Sequence, residues 1–503
     1  MKRNLRKWMA VVLAVALCVL TAVLPVMAAD AGTWEPDSLV VGIGGTEESL
    51  SFTWYDTTKT PGVLHLNGKD YTASVSSASK SGSYVNRVTV DGLTAATKYK
   101  FTITSGDGKL SKAHTYVTKD FGKGKAFTFA AVGDPQIGAS GNAETDSQGW
   151  KKTLDAIQED DADYAFLFSM GDQVNTNTDE SEYSYFLSPM TAETAVLPFV
   201  NMEGNHDVLA KNYTDHFTDP NVTSYGTVLS GDGDYSFTYN GVLFMVLNTN
   251  NLSVSQHKAF LEQTVAEHED ATWKVVCFHK SVYSVANHVT DTDISVLRDG
   301  LSPILAALDV DVVLQGHDHV YARSYIMGGE SGKEADTSKG VQKDIYQPDG
   351  VQYVTLNSSS GSKFYSITSE AFTYTAVQNQ EKVPNYSRVT VTEDSFTVTT
   401  YRVTDHSVVD TFTLHKNAKG SASDSADADD EVANKAADKA TGATEDASAG
   451  ATSDKSGAQK AGDVLTLDST QSVTWIGILT VAVLGALVTL KVWVAVHRAQ
   501  HHG

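Results

Sequence analysis

The sequence is poor in cysteine and in basic residues, and these shortages exclude several classes of protein. Its 503 residues contain two cysteines, 38 Lys and Arg residues and 61 Asp and Glu residues, so the net charge is -23. No basic stripe is present that would neutralise a phosphate backbone, which argues against a nucleic-acid partner. The chain is also too long for a single hydrophobic core, so more than one domain is expected.

Two long apolar runs lie near the two ends of the chain. The first follows a cluster of Lys and Arg residues and ends at Ala28, which predicts an export signal at residues 1–28. The second, residues 473–496, contains one lysine and is long enough to span a bilayer as a helix. Basic residues follow it, which predicts a cytoplasmic C-terminus, a single-pass anchor at the cell surface and an extracellular location for the preceding region. A sortase signal is the alternative, but no Leu-Pro-x-Thr-Gly motif precedes this run.

Neither cysteine is expected to form an intramolecular disulfide. Cys18 lies inside the first apolar run and would be removed with it, which leaves Cys277 alone. The run Trp273–Phe278 predicts a buried strand, so we interpret Cys277 as a core thiol. A metal ligand is the alternative, because Cys277 shares a face of this strand with His279.

Composition and periodicity divide the rest of the chain into three regions. Residues 30–120 contain short strand-like runs separated by turn residues, which predicts an all-β sandwich. Residues 125–415 alternate strand and helix patterns, which indicates an α/β domain. Residues 416–470 contain almost no large apolar side chains and are predicted to be a disordered linker.

Metal-binding residue types follow several predicted strands of the α/β region. Glycines accompany most of them, in Gly171-Asp172, Gly204-Asn205-His206-Asp207 and Gly316-His317-Asp318-His319. Asp134, with Gln136 two residues later, and His279 also follow apolar runs. The carboxyl ends of neighbouring strands meet at one edge of a sheet, so these side chains are expected to converge. Mixed oxygen and imidazole donors favour a pair of divalent Mn, Zn or Fe ions.

The order of these motifs resembles the calcineurin-like metallophosphoesterases, and Gly316–Arg323 is similar to the purple acid phosphatase branch. The resemblance implies a four-layer α/β/β/α fold with two metal ions. One ion would be held by Asp134, Asp172 and His319. Asp172 would bridge to a second ion, held also by Asn205, His279 and His317.

The resemblance also implies a reaction, in which a hydroxide shared by two metals attacks the phosphorus of a phosphomonoester. His206 is then the predicted general acid for the leaving group. Asp207 is predicted to orient the His206 ring, and a loop carboxylate that faces water is the alternative. A phosphodiesterase with the same centre, and a non-catalytic surface binding protein with a degenerate metal site, are the alternative functions.

Three residues are candidates for contact with a small phosphoester substrate. Asn205 lies among the ligands, and His288 follows the His279 strand in a loop that would overhang the metals. Arg323, four residues after His319, has a planar set of donors that suits phosphate. A structural ion pair is the alternative role for Arg323.

Two positions depart from the family pattern. Asn175 stands where the purple branch has a metal-bound tyrosine, so no ferric-tyrosinate centre is expected and the protein should be colourless. Gln136 stands where many relatives outside that branch have a histidine. Its neutral amide oxygen would hold a metal less tightly, which leaves a decayed site as an alternative.

The upstream region carries a second resemblance. Leu93–Phe101 resembles the tyrosine-corner region of fibronectin type III domains, and such a domain precedes the catalytic part of many purple acid phosphatases. This resemblance implies that Trp54 lies in the sandwich core. No feature of the sequence indicates an oligomeric state.

Overall fold

The computed structural model describes residues 34–160, 162–193 and 197–418. The predicted export signal at residues 1–28, the linker from residue 419 onward and the apolar run at residues 473–496 lie outside these ranges. Among the residues that are described, no helix combines the length and the apolar character needed to cross a membrane.

The upstream region consists of eight strands around its own apolar core. Four strands form one sheet in the order β4-β3-β7-β8, and the others are adjacent in the order β1-β2-β6-β5. Trp54 is fully buried in this core, as predicted. The Tyr99 hydroxyl accepts a hydrogen bond from the Thr94 N–H at 2.9 Å. The bounds are β1 Asp37–Ile43, β2 Leu50–Asp56, β3 Val63–Leu66, β4 Lys69–Thr72, β5 Ser74–Ser77, β6 Tyr84–Val90, β7 Lys98–Thr104 and β8 His114–Val117.

The downstream region alternates strands and helices and then becomes rich in strands. Its helices are α1 Ala143–Glu159, α2 Glu180–Glu193, α3 Asn212–His216, α4 Val254–Glu267 and α5 Thr292–Ala307. Its first strands are β9 Phe127–Val132, β10 Tyr164–Ser169, β11 Phe199–Val200, β12 Tyr235–Tyr239, β13 Val242–Leu247, β14 Trp273–Phe278 and β15 Val312–Gln315. The later strands are β16 Tyr321–Gly328, β17 Glu334–Ala335, β18 Asp344–Tyr346, β19 Val351–Thr355, β20 Thr375–Asn379, β21 Asn385–Val391, β22 Ser395–Arg402 and β23 Val408–His415.

Two sheets pack face to face in this region, with helices on both outer sides. One sheet runs β18-β23-β22-β21-β9-β10-β11, and the other runs β12-β13-β14-β15-β19-β16-β17, with β20 beside β16. Phe129 and Phe166 of the first sheet meet Phe244 of the second in the central core. Helices α1 and α2 cover the outer face of the first sheet, while α4 and α5 cover that of the second. The layers are therefore α/β/β/α.

The parallel strands at the centre end at one edge of these sheets. Strands β9, β10 and β11 are parallel to one another, as are β13, β14, β15 and β19. They are buried on both faces, which explains their continuous apolar sequences. Each candidate ligand follows one of these strands, so the topology gathers the loops that carry them. Asp134 and Gln136 follow β9, Asp172 follows β10, Asn205 follows β11, His279 follows β14, and His317 and His319 follow β15.

The upstream strands are continuous with the first downstream sheet. Strand β1 pairs in parallel with β11, with Gly42 opposite Phe199, so β1, β2, β6 and β5 extend that sheet to eleven described strands. Side chains reinforce the junction, since the Tyr55 ring stacks on His216 with 4.7 Å between centroids. The two predicted domains thus share one sheet, which the sequence patterns did not indicate.

Cys277 lies in the central core, as predicted. It is fully buried in β14 and is a free thiol. Burial raises the pKa of this thiol above its usual value, and Cys277 belongs to neither group of possible metal ligands found among the described residues.

Candidate metal centre

The candidate ligands occupy strained backbone positions at the strand ends. Five of them are non-glycine residues in the left-handed region, which costs about 1–2 kcal/mol for each residue. Their φ angles are Asp134 38°, Gln136 35°, Asp172 50°, His317 72° and His319 46°. Such strain persists where the surrounding structure holds it, and it concentrates at functional sites. The pattern marks this group of loops as the functional site.

The glycines of the motifs leave room for the carboxylates of the site. A β-carbon at Gly204 would lie 2.0 Å from Oδ1 of Asp172, and one at Gly316 would lie 2.6 Å from Oδ2 of Asp134. Neither contact is sterically allowed, and both carboxylates are almost completely buried. Glycine is therefore required at these two positions because of the ligand next to it, and turn formation alone does not explain it.

The loops bring five side chains together as two groups that could hold metal ions. Asp172, His279 and His317 form one group, and Asp134, Asp172 and His319 form the other. Within each group the candidate ligand atoms lie within 4.8 Å of one another. Asp172 belongs to both groups, which is the arrangement of a carboxylate that bridges two ions.

Hydrogen bonds fix which ring nitrogens face the site. Nδ1 of His279 donates to the Met170 carbonyl at 2.8 Å, so the lone pair of Nε2 faces inward. That Nε2 atom lies 3.1 Å from Oδ1 of Asn205 and 3.3 Å from Oδ2 of Asp172. His319 repeats the pattern, with Nδ1 bonded to a backbone carbonyl at 2.9 Å and Nε2 3.6 Å from Asp134. Such carbonyls orient metal-binding imidazoles in general.

The electrostatics of the cluster suit bound cations. Burial and, after it, the charge of nearby Lys363 lower the pKa of His319 to about 3, so the ring is neutral and able to ligate. Burial, followed by the charge of His288, holds the pKa of His317 well below its usual value. His279 shows the opposite behaviour: burial opposes its charged form, yet Asp172 and Asp134 raise its pKa to about 9. The two carboxylates thus attract positive charge to the site.

Gln136 and Asn205 supply two further oxygens. Gln136 is fully buried, and its Oε1 atom has no hydrogen-bond partner among the described residues. Its Nε2 atom donates weakly to Oδ1 of Asn175 at 3.4 Å. An unsatisfied buried oxygen is costly, and a metal ion would satisfy it. The donor set of carboxylates, amide oxygens and neutral imidazoles therefore fits divalent cations.

The structure places His206 beside the site but gives it a different partner from the predicted one. Its backbone N–H donates to Oδ1 of Asp172 at 2.9 Å, and its Nδ1 atom donates to the Asn175 carbonyl at 2.7 Å. Asp207 instead accepts hydrogen bonds from the N–H groups of Gln173 and Gly204. The prediction that Asp207 orients the His206 ring is wrong, because this carboxylate is fully buried and faces the loop backbone. The alternative of a water-facing carboxylate is equally wrong.

Asp207 remains important for the shape of the site. Burial raises its pKa to about 7, and the charge of Asp172 acts in the same direction. Its contacts join the loop after β10 to the loop after β11, so it positions Asp172 relative to Asn205. We assign it a structural role in the site.

The two remaining predicted substrate contacts, His288 and Arg323, lie in different surroundings. His288 stacks on His317 with ring centroids 4.0 Å apart, and its Nδ1 atom bonds Asp291 at 2.8 Å, so this ring does border the site. Arg323 is 2% exposed and forms an ion pair with Asp410, with 2.6 Å from Nε to Oδ2. Substrate contact by Arg323 is wrong, because its guanidinium is held within the core.

Three residues that the sequence analysis did not assign also shape the site. Asp318 is fully buried and accepts backbone hydrogen bonds from Ala286 and His288, which fixes the loop that carries His288. Its place in the sequence between the predicted ligands His317 and His319 could have indicated that Asp318 shapes the site. Lys363 and Tyr365 follow β19 and cover His319. The serine-rich run at 358–360 precedes them at the end of a strand, where the predicted ligands also lie, and this position was the available signal.

The fold and the site together define a metallophosphoesterase-type α/β/β/α architecture with two potential metal sites. Residues 127–321 match the family model of the calcineurin-like phosphoesterases. Among solved structures, the purple acid phosphatase PPD1 from yellow lupin seeds has the same fold. It is 15% identical with a TM-score of 0.62, and the match covers 76% of this chain and 74% of that one.

Other proteins are also similar to this chain. A PhoD structure matches with a TM-score of 0.52 and 14% identity, covering 77% of this chain and 91% of that one. Two uncharacterized Mycobacterium tuberculosis proteins, MT2654 and Rv2577, are 26% identical over 289 residues, which is 50% of this chain and 53% of each relative. The chain thus spans about half the length of the curated relatives that it matches.

Proposed function

We propose that this protein is a dinuclear metal phosphohydrolase that acts on phosphomonoesters. The observation that carries the proposal is the sharing of Asp172 between two groups of candidate ligands. Two divalent ions bound there would supply Lewis acidity and lower the pKa of a coordinated water. Mn, Zn or Fe(II) suit the donor set.

The residues of the chain have separate roles in this proposal. Asp172 sets the spacing of the two sites, while the carbonyls bonded to His279 and His319 keep both rings in the ligating tautomer. His206 donates a proton to the leaving oxygen from Nε2, since the Asn175 carbonyl already holds its Nδ1 proton. Asn205 borders the same space and contacts the phosphoryl group.

The test measures hydrolysis of p-nitrophenyl phosphate and of bis(p-nitrophenyl) phosphate by protein loaded with Mn, Zn or Fe(II). The variants Asp172→Ala and His317→Ala should lose metal and activity while circular dichroism shows an intact fold. Asp270→Ala is the matched control, because Asp270 is an exposed aspartate paired only with Lys123. It should retain wild-type activity.

The same experiment distinguishes the other functions. Turnover of the diester that exceeds that of the monoester would identify a phosphodiesterase. Two bound metals without hydrolysis of either substrate would identify a non-catalytic binding protein. Loss of activity in Asp270→Ala would show that the assay reports general stability.

The proposed centre is colourless. The purple branch owes its colour to a tyrosinate on ferric iron, and position 175 is asparagine. An iron-loaded sample should therefore show no strong visible charge-transfer band. If a band is present and Tyr365→Phe removes it, the proposed divalent centre is wrong.

We also propose that the catalytic region lies outside the cell on a single-pass anchor. The support is the export-signal pattern at residues 1–28 and the apolar run at residues 473–496. Protease added to intact cells should remove the catalytic domain, and protection of this domain would contradict the proposal. The strand order of the upstream region and the Tyr99 contact support a fibronectin type III-like assignment for it.

A further inference from the structure

The segment from Asn357 to Tyr365 covers the metal centre although it contains none of the candidate ligands. Ser358 donates from its hydroxyl to the Asp134 carbonyl at 3.1 Å, and the Ser360 hydroxyl bonds the next carbonyl along. The Lys363 carbonyl accepts a hydrogen bond from Nδ1 of His319 at 2.9 Å. The backbone of this segment is therefore fixed against the loops of the centre.

The Lys363 ammonium is held on the side of the segment that borders the site. Its Nζ atom lies 4.8 Å from the centroid of the Tyr365 ring. That ring lies 5.1 Å from the His319 ring and 5.2 Å from the His288 ring.

The ammonium has no salt-bridge partner in the described part of the chain. Other lysines near carboxylates form ion pairs, such as Lys333 with Asp299 at 2.7 Å. Lys363 is half-buried, so a charged group that enters the site would find it partly desolvated. A partly desolvated and unpaired cation beside a metal centre is suited to bind an anion.

We propose that Lys363 binds the phosphoryl oxygen that the two metal ions leave free, and that it thereby selects dianionic phosphomonoesters. This inference rests on the proposed function and specifies its substrate class. A monoester dianion has three oxygens without an ester group, so one can accept an N–H bond from the ammonium while the metals hold the others. A diester has two such oxygens, and an uncharged ester group would occupy the third position.

The aromatic ring beneath the ammonium strengthens this selection. Tyr365 restricts the lysine side chain by a cation–π contact, so less rotamer entropy is lost when the phosphate binds. The ring also packs against His288 and His319 on this side of the site.

The first test measures inorganic phosphate binding to the metal-loaded protein by calorimetry. Lys363→Gln should weaken binding about 10- to 100-fold, the expected value of a charge-assisted hydrogen bond. Lys363→Arg should restore most of the affinity because it keeps the charge. Lys69→Gln is the matched control, since Lys69 is an exposed lysine of β4. It changes the net charge equally and should bind as wild type does.

The second test compares steady-state kinetics. Lys363→Gln should raise KM for p-nitrophenyl phosphate about tenfold and change KM for the diester by less than about twofold. Equal effects on KM for both substrates would overturn the proposal that Lys363 selects monoesters over diesters. Unchanged phosphate affinity in Lys363→Gln, or loss of bound metal in that variant, would overturn phosphate binding by Lys363.

The two proposals fail in different ways. If wild-type protein hydrolyses nothing, the proposed function is wrong, and the calorimetric difference between Lys363→Gln and wild type still tests the phosphate contact. If hydrolysis is present but insensitive to Lys363, only the inference about this residue is wrong.

Discussion

At the scale of single residues, His206 provides the clearest test of mechanism. Its ring is oriented by the Asn175 carbonyl, so a replacement removes a proton donor and leaves the five clustered ligands in place. His206→Gln should lower kcat for an alkyl phosphate about 10²- to 10⁴-fold, which is the usual range for general acid catalysis. A nitrophenolate needs no proton to leave, so the effect on p-nitrophenyl phosphate should be much smaller.

The ratio of the two kcat values is the measurement that checks this role. Metal content measured in parallel should equal that of wild type. An equal loss for both leaving groups would assign His206 to substrate binding or to structure instead.

The site was largely predictable at this scale, for a physical reason. Glycine beside a ligand is a local requirement, since the β-carbon at Gly204 or Gly316 would collide with a carboxylate, and such requirements remain visible in sequence. The partners of Asp207 and Arg323 depend on which loop faces which side chain. That information is non-local, and both predictions were wrong for this reason.

At the scale of secondary-structure elements, a buried ion pair joins α4 to the residue before β12. Nδ1 of His257 lies 2.8 Å from Asp234, and Nε2 lies 2.8 Å from the Asn251 carbonyl. Both partners are acceptors, so both ring nitrogens must carry protons and the ring is charged. Although burial lowers the pKa of His257, the bond to Asp234 outweighs this effect and raises it.

The pH dependence of stability follows from the raised pKa. The contribution of the charged ring is fully present below the unfolded-state pKa of about 6.5, and it is lost as pH rises through the folded-state pKa. His257→Gln should lower the free energy of unfolding by about 3–5 kcal/mol at pH 6. Urea titrations should show this difference shrinking toward higher pH.

A control residue at the end of the same helix makes this prediction specific. His268 follows α4 and is half-buried, and its Nδ1 atom bonds only the backbone of that helix. His268→Gln should therefore stay close to wild type. A His257→Gln difference that is constant with pH would show that the ring is neutral in the folded protein.

Periodicity predicted the elements that have strong apolar patterns and missed those that do not. The strand Trp273–Phe278 was predicted, because a continuous apolar run is a local signal. Helix α2 was missed although Tyr183, Phe186 and Met190 share one buried face, because Pro189 within it argues against a helix. Strands β4 and β5 were missed because they are short, polar and largely exposed.

At the scale of the whole molecule, the upstream and downstream regions share one sheet. Tyr55 bonds His216 at 3.3 Å, and Thr53 bonds Thr218 at 2.7 Å, which adds side-chain contacts to the β1–β11 pairing. No sequence pattern reports such a junction, because it depends on one backbone pairing between distant segments.

We expect both regions to unfold in a single cooperative transition. Leu64→Ala removes a fully buried side chain of β3, far from the metal ligands, and should cost about 2–5 kcal/mol. The urea concentration at which half of the hydrolytic activity is lost should then be lower than in wild type. The midpoint of the change in Trp54 fluorescence should decrease by the same amount. An unshifted activity profile would show that the two regions unfold independently.

The junction at β11 has a consequence for any shortened form of the protein. Phe199–Val200 pairs with β10 on one side and with β1 on the other. A fragment that begins near residue 120 lacks β1, so it would leave one edge of this short strand unpaired. Open backbone donors and acceptors of that kind recruit strands from other molecules. The isolated downstream fragment should therefore self-associate through this edge, which β1 covers in the full chain.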